Sequence, residues 1–137
     1  MDPVSSRTLP LVISRLTVVP TTAQLFMFSA VTWNRHRIHY SREAAVAEGH
    51  ADVVVQRALL GNYLARMLEQ WLAGRGDVRE LSWKVLSSAA PGFALHCIGE
   101  ATIGDNHTYH CSLRIVDDQE TVIVTGNARC VLNESAA

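Results

Sequence analysis

The sequence carries little charge and no long stretch of one sign. Charged residues make up 18% of its 137 residues, and the formal net charge is −1. A protein whose main partner is nucleic acid or an anionic membrane surface usually has a basic patch or a charge run, so we expect neither partner. Hydrophobic residues reach 48%, which indicates a globular protein with a well-buried core.

Long apolar runs are also missing. No segment approaches the roughly 20 apolar residues that a membrane-spanning helix requires. The apolar segment Leu9–Ile13 is too short for the core of a signal peptide. Three prolines, Pro3, Pro10 and Pro20, interrupt any amphipathic transit helix. We therefore expect a cytoplasmic protein without a membrane partner.

Cysteine is scarce as well. The chain has three cysteines, an odd number, and no Cys-x-x-Cys pair. Each lies at an apolar position of a predicted strand; they are Cys97, Cys111 and Cys130. We expect buried free thiols and no catalytic cysteine.

Two histidine pairs have the spacing of metal ligands on a helix, His36 with His39 and His107 with His110. Neither pair lies on a predicted helix, and neither has nearby cysteine or carboxylate partners to complete a coordination sphere. We therefore expect no metal site and no other cofactor.

The strongest periodicity lies in the segment Val53–Gly74. Its apolar residues recur at steps of one and three, which places a broad stripe on a helix of roughly five turns. The stripe comprises Leu59, Leu60, Tyr63, Leu64, Met67, Leu68, Trp71 and Leu72. Gly74 and Gly76 end the helix, because its C-terminus favours residues with left-handed dihedrals. Such a helix needs other elements packed around it.

The rest of the chain supplies elements that can cover this helix. We predict one domain over 1–137, with residues 1–10 as a loose N-terminal arm. Before the central helix we predict a strand over Pro10–Val19 and short helices over Ala23–Val31 and Ser41–Glu48. After it, apolar alternation predicts an antiparallel meander with strands near Leu81–Val85, Phe93–Ile103, Tyr109–Ile115 and Thr121–Leu132. The predicted class is α+β, with a sheet curled around one long helix.

The loop Trp33–Tyr40, with the sequence WNRHRIHY, has neither strand alternation nor helical periodicity and is densely polar. Val54–Leu60, VVQRALL, follows it. Together they resemble the MaoC-like dehydratases of the hotdog fold, over roughly 21–132. The Asn-x-His-Arg-Ile-His-Tyr pattern is most similar to the branch of hydroxyacyl-thioester dehydratases and mesaconyl-CoA-type hydratases. The resemblance implies reversible hydration of an enoyl thioester, or dehydration of a 3-hydroxyacyl thioester, on coenzyme A or an acyl carrier protein.

The resemblance assigns the catalytic histidine to His39. Asn34 falls where many family members carry an aspartate. An aspartate can accept a proton, whereas an asparagine can only orient a water through its amide. We therefore expect His39 to transfer the proton, since histidine titrates near neutral pH. His36 is expected to supply a second titrating or hydrogen-bonding group.

The resemblance also implies a substrate-binding role for Gln56, Arg57 and Ala58 at the start of the central helix, together with Trp33. Many family members have a glycine at the position of Arg57, and its backbone N–H polarises the thioester carbonyl. The free N–H groups of a helix N-terminus still favour a developing enolate oxygen. We expect the Arg57 side chain to narrow the pocket or to meet a charged acyl group.

Other interpretations stay open. His39 can be a structural histidine. A hotdog thioesterase usually has a carboxylate on or near the long helix, where this chain offers only Glu69, far toward the C-terminal end. A non-catalytic subunit that binds an acyl thioester is a third function, because both the aspartate and the glycine are replaced. Four arginines either contact coenzyme A phosphates or stay solvated: Arg35, Arg37, Arg42 and Arg57.

A single hotdog sheet leaves an edge strand and part of its outer surface uncovered. Pairing with a second copy usually closes such an edge. We therefore expect a homodimer or a larger homo-oligomer, with the thioester in a groove to which both subunits contribute.

Overall fold

A computed structural model describes residues 10–134, so the predicted arm lies outside the described residues except for Pro10. Its elements, in chain order, are β1 (Leu11–Val18), α1 (Thr22–Thr32), a 3-10 turn (Arg37–His39), α2 (Arg42–Ala47), α3 (Arg57–Leu72), β2 (Gly76–Val85), β3 (Leu95–Ile103), β4 (Thr108–Val116) and β5 (Val122–Leu132). None of the helices within 10–134 is long and apolar enough to cross a membrane. One five-stranded sheet and one long helix confirm the predicted α+β class.

The strand order of the sheet is β1-β3-β4-β5-β2, and every neighbouring pair is antiparallel. The predicted meander is correct for β3, β4 and β5. It is wrong for β2, which pairs with β5 instead of β3. The connection over 86–94 accounts for the difference, because it crosses the molecule: Ala89 accepts a backbone hydrogen bond from Val55, and Gly92 donates one to Pro20. Strands β1 and β2 are the two sheet edges.

The core lies between α3 and the sheet. Seven of the eight residues of the predicted stripe are buried, and Leu64, Met67 and Leu68 have no solvent exposure at all. The eighth, Trp71, is half-buried and packs on Tyr109 with ring centroids 5.1 Å apart. The sheet contributes Ile13, Leu95, Cys97, Leu113, Ile115 and Val124 to the same cluster. The helix therefore has the central position that its periodicity predicts.

The helix begins at Arg57, within the segment Gln56–Ala58 that the sequence analysis places at its start. Two backbone hydrogen bonds hold the preceding segment outside the helix: Val54 N–H donates to Ile38 O at 2.9 Å, and Val55 N–H donates to Ala89 O at 2.8 Å. The end agrees with the prediction, since Ala73 and Gly74 adopt left-handed φ values of 50° and 80°.

All three cysteines are buried and free, as the sequence predicts. Burial raises the pKa of Cys97 to about 12. A hydrogen bond between Cys111 and Cys130 raises the pKa of Cys111, and burial raises it further; the same bond lowers the pKa of Cys130. These thiols belong to the core.

Leu64→Ala should lower the free energy of unfolding by about 2–5 kcal/mol, because Leu64 is fully buried in the core cluster. Urea unfolding at one fixed protein concentration, followed by circular dichroism, measures the change. The matched control is Gln70→Ala on the exposed face of the same helix, which should shift stability by less than about 0.5 kcal/mol. A loss for Leu64→Ala no larger than that of the control would contradict the central position of α3.

Candidate active site

The polar loop starts where α1 ends in a left-handed turn. Trp33 caps the helix with φ 56°, and the N–H groups of Trp33 and Asn34 both donate to Ser29 O. The Asn34 side chain then folds back, because its Oδ1 accepts a hydrogen bond from His36 N–H at 3.2 Å. Two residues of the loop are thereby fixed relative to the end of α1.

His39 is 8% exposed and lies in the 3-10 turn. Its Nδ1 is 2.7 Å from Val54 O. A carbonyl oxygen can only accept a hydrogen bond, so Nδ1 carries the proton in neutral His39 and Nε2 has the free lone pair. The imidazole is therefore oriented as a base through Nε2, as a general acid–base residue requires.

The start of α3 follows directly after the segment that His39 contacts. The first backbone hydrogen bond of the helix runs from Leu60 N–H to Gln56 O at 3.1 Å, which leaves the N–H groups of Arg57, Ala58 and Leu59 without an acceptor in the helix. Val54, which holds His39, precedes Gln56 by two residues. The structure thus bonds His39 to the segment that directly precedes this N-terminal turn, which the resemblance implies as the oxyanion site.

His36 is exposed, and its Nε2 is 3.7 Å from a carboxylate oxygen of Glu48. Its ring packs edge-on against the ring of His39, with the centroids 5.8 Å apart. His36 therefore lies beside the catalytic candidate but in solvent. Ion pairs at such a distance on the surface contribute little to stability.

The Arg57 side chain contacts the edge strand β2. Its guanidinium donates to Trp83 O at 2.9 Å and lies 4.8 Å from the centre of the Trp83 ring, while Trp83 Nε1 donates to Arg57 O at 3.0 Å. Gly61 makes this possible, because a side chain at Gly61 would occupy the space of the Trp83 indole. The expected contact of Arg57 with a charged acyl group stays a prediction, and such a contact would compete with the bonds to Trp83.

Gln56 has a contact that the sequence does not reveal. Its side chain is fully buried, and Nε2 donates to Leu25 O at 2.7 Å and to Ser29 Oγ at 2.9 Å, both on α1. Ser29 is a residue that sequence reasoning missed. The available indication was a single serine within the apolar segment of α1, followed four residues later by the polar loop.

A surface cavity of about 430 Å³ adjoins the loop. Its lining includes Phe26, Ser29, Trp33, Asn34 and Tyr40. Asn34 and Trp33 therefore line one cavity. His39, Gln56, Arg57 and Ala58 are not part of its lining: His39 bonds to Val54, and the other three lie at the start of α3.

No group of three or more metal-binding side chains is found within residues 10–134. His36 faces Glu48, and His107 and His110 belong to the turn and the strand on either side of Thr108. The predicted absence of a metal stays a prediction.

Comparison with known proteins gives matches in sequence and in structure. Mesaconyl-C(4)-CoA hydratase from Chloroflexus aurantiacus is 46% identical over 52 residues, which cover 37% of this chain and 19% of that protein. The chain thus spans only a small part of the length of this curated relative.

Solved structures also match this fold, and the following two are among those with a TM-score of 0.84. The (R)-hydratase from A. caviae involved in PHA biosynthesis is 21% identical and is covered to 98%, against 93% of this chain. A MaoC-like dehydratase is 15% identical and is covered to 42%, against 94% of this chain. At these identities the two structures show the fold alone, and they confirm the predicted hotdog fold.

The model of one protein family, described as hydroxyacyl-thioester dehydratase type 2, matches residues 5–91. The match includes the polar loop, the segment that holds His39 and the whole of α3, and it covers more than half of the 137 residues. It confirms the resemblance carried by the loop. The chain belongs to the hydroxyacyl-thioester dehydratase type 2 family.

Proposed function

We propose that this chain is a hydro-lyase that adds water to a trans-2-enoyl thioester, or removes it from a 3-hydroxyacyl thioester, carried by coenzyme A or an acyl carrier protein. The observation that carries the proposal is the hydrogen bond from His39 Nδ1 to Val54 O. This bond leaves Nε2 of a nearly buried imidazole without a proton, and it joins His39 to the segment that precedes α3. Family membership supports the same reaction.

In the hydration direction, His39 Nε2 takes a proton from a water that Asn34 orients. The water oxygen forms a bond to C3, and the electron pair of the double bond moves to give an enolate with its charge on the thioester oxygen. The His39 imidazolium then returns a proton to C2. Dehydration is the reverse, so one histidine serves as base and acid in turn.

The enolate charge needs donors that do not have to reorganise. The first N–H groups of α3, at Arg57 and Ala58, lie at the positive end of the helix dipole and supply them. Gln56 fixes the start of this helix against α1. Trp33, exposed at the cavity with Asn34, offers an apolar surface for the acyl group.

A thioesterase is less well supported. Its carboxylate would be Glu69, which is exposed near the C-terminal end of α3, far along the helix from His39. A non-catalytic subunit is the stronger alternative, since Asn34 cannot accept a proton. Two assays separate the three functions: loss of the enoyl absorbance of crotonyl-CoA, and release of free thiol from butyryl-CoA. Loss of absorbance without thiol release supports hydration; thiol release, or neither change, would contradict it.

His39→Ala should lower the rate of crotonyl-CoA hydration by about 10²–10⁴-fold, because it removes the proposed acid and base. Asn34→Ala should cost less, and Asn34→Asp should retain activity, because a carboxylate can hold the same water. Steady-state kinetics measure all three.

His107→Ala provides a matched control, since His107 is exposed in the turn between β3 and β4. Each variant must keep the circular dichroism spectrum and the assembly state of the original protein. If a folded His39→Ala hydrates crotonyl-CoA as fast as the unmodified protein does, the assignment of His39 is wrong.

The assembly that we propose is a homodimer or a larger homo-oligomer acting in the cytoplasm. Within residues 10–134, both edge strands, β1 and β2, have a neighbour on one side only. Strand β2 has exposed or half-buried residues throughout, and unpaired sheet edges favour association.

Light scattering on the purified protein at micromolar concentration should therefore give at least twice the chain mass of 15.1 kDa. The subunits should also share the thioester groove, so dilution that separates them should abolish hydration. A stable monomer of 15.1 kDa with full activity would exclude this assembly.

A further inference from the structure

Gln56 is the one fully buried polar side chain in the core of the described region, and the nitrogen and the oxygen of its amide differ in their hydrogen bonding. Its Nε2 makes two hydrogen bonds to α1, at Leu25 O and Ser29 Oγ. Its Oε1 is buried without a partner among the described residues. Since an unsatisfied buried acceptor carries an energetic cost, the orientation of this amide serves its donor end.

The consequence falls on Ser29. A hydroxyl has one proton to donate and two lone pairs, and Gln56 uses one of the lone pairs. The Ser29 hydroxyl donates no hydrogen bond within the described part of the chain, although the residue is only 5% exposed. It lines the cavity of about 430 Å³ that Asn34 also lines. The second hydroxyl at this cavity, on Tyr40, already donates to Arg35 O at 3.0 Å.

Under the proposed function, the attacking water must have all four of its positions assigned. One proton goes to His39, and the other is held by Asn34 Oδ1, which has a second lone pair beside the one that accepts from His36 N–H. One lone pair of the water attacks C3. Its remaining lone pair needs a donor that faces the cavity lined by Asn34; His39 lies outside this lining but directly precedes Tyr40, which is part of it.

We propose that Ser29 is this donor: its hydroxyl binds the oxygen that attacks C3 in hydration and leaves from C3 in dehydration. Helix α1, which carries Ser29, contacts the 3-10 turn that carries His39. In dehydration the departing oxygen gains negative charge before His39 protonates it fully, and a hydrogen-bond donor stabilises that charge. This inference rests on the proposed function and adds a residue to it.

Gln56 is then a positioning residue. By donating to Ser29 Oγ, it leaves the serine proton free to point into the cavity. The same side chain bonds to Leu25 O, so it also sets the distance between α1 and the start of α3.

The test compares two ligands that differ only in the 3-oxygen, 3-hydroxybutyryl-CoA and butyryl-CoA. Calorimetry is done in a His39→Ala background, where turnover cannot interfere. Adding Ser29→Ala should weaken the binding of 3-hydroxybutyryl-CoA about tenfold, the value of one hydrogen bond, and leave butyryl-CoA unchanged. With His39 intact, Ser29→Ala should lower kcat for crotonyl-CoA and change KM little, since crotonyl-CoA has no 3-oxygen.

The matched control is Thr32→Ala, which removes a hydroxyl from the same helix; this hydroxyl donates to Phe28 O at 2.6 Å and should affect neither ligand. Gln56→Met should reproduce the selective loss in weaker form. If Ser29→Ala does not fold, Ser29→Cys keeps the shape and replaces the hydroxyl by a poor donor, and the same comparison applies.

Equal loss of both ligands, or loss of neither, would overturn the role of Ser29 while leaving the proposed function intact. If the His39→Ala protein binds neither ligand and the unmodified protein does not hydrate crotonyl-CoA, the proposed function fails, and this inference fails with it.

Discussion

The segment before α3 enters the core without being part of a helix or strand, so its backbone polar groups need partners inside the protein. The Val54 N–H donates a hydrogen bond to Ile38 O, and Val54 O accepts one from the His39 imidazole. This backbone requirement places the catalytic candidate. It also decides which ring nitrogen of His39 stays free, because an acceptor at Nδ1 fixes the tautomer.

The parts of the fold that depend on local periodicity could be predicted from the sequence. A helical stripe and strand alternation are repeated signals within a few residues, and the structure has α3, β3, β4 and β5 close to their predicted bounds. The pairing of β2 with β5 could not be predicted in this way. It depends on where the connection over 86–94 finds its hydrogen bonds, at Val55 and Pro20, which are distant in sequence.

The site divides in the same manner. The loop pattern and its resemblance predict His39, Asn34 and the start of α3 as the site, and these assignments stay predictions. The bond from Gln56 to Ser29 joins residues 27 positions apart, and neither belongs to a periodic pattern that would mark it. The Arg57 contact was also hidden, because it needs both the indole of Trp83 and the space that Gly61 leaves.

Arg57 and Trp83 exchange hydrogen bonds in both directions, one residue at the first turn of α3 and the other on the edge strand β2. The edge strand β2 and the N-terminus of α3 are thus joined directly by hydrogen bonds. A second chain that packs along β2 would shift Trp83 and, through Arg57, the backbone amides that we propose as donors to the enolate. Assembly and thioester binding would then share one equilibrium, so the affinity of the subunits for each other would depend on the ligand, and that of the ligand on the subunits.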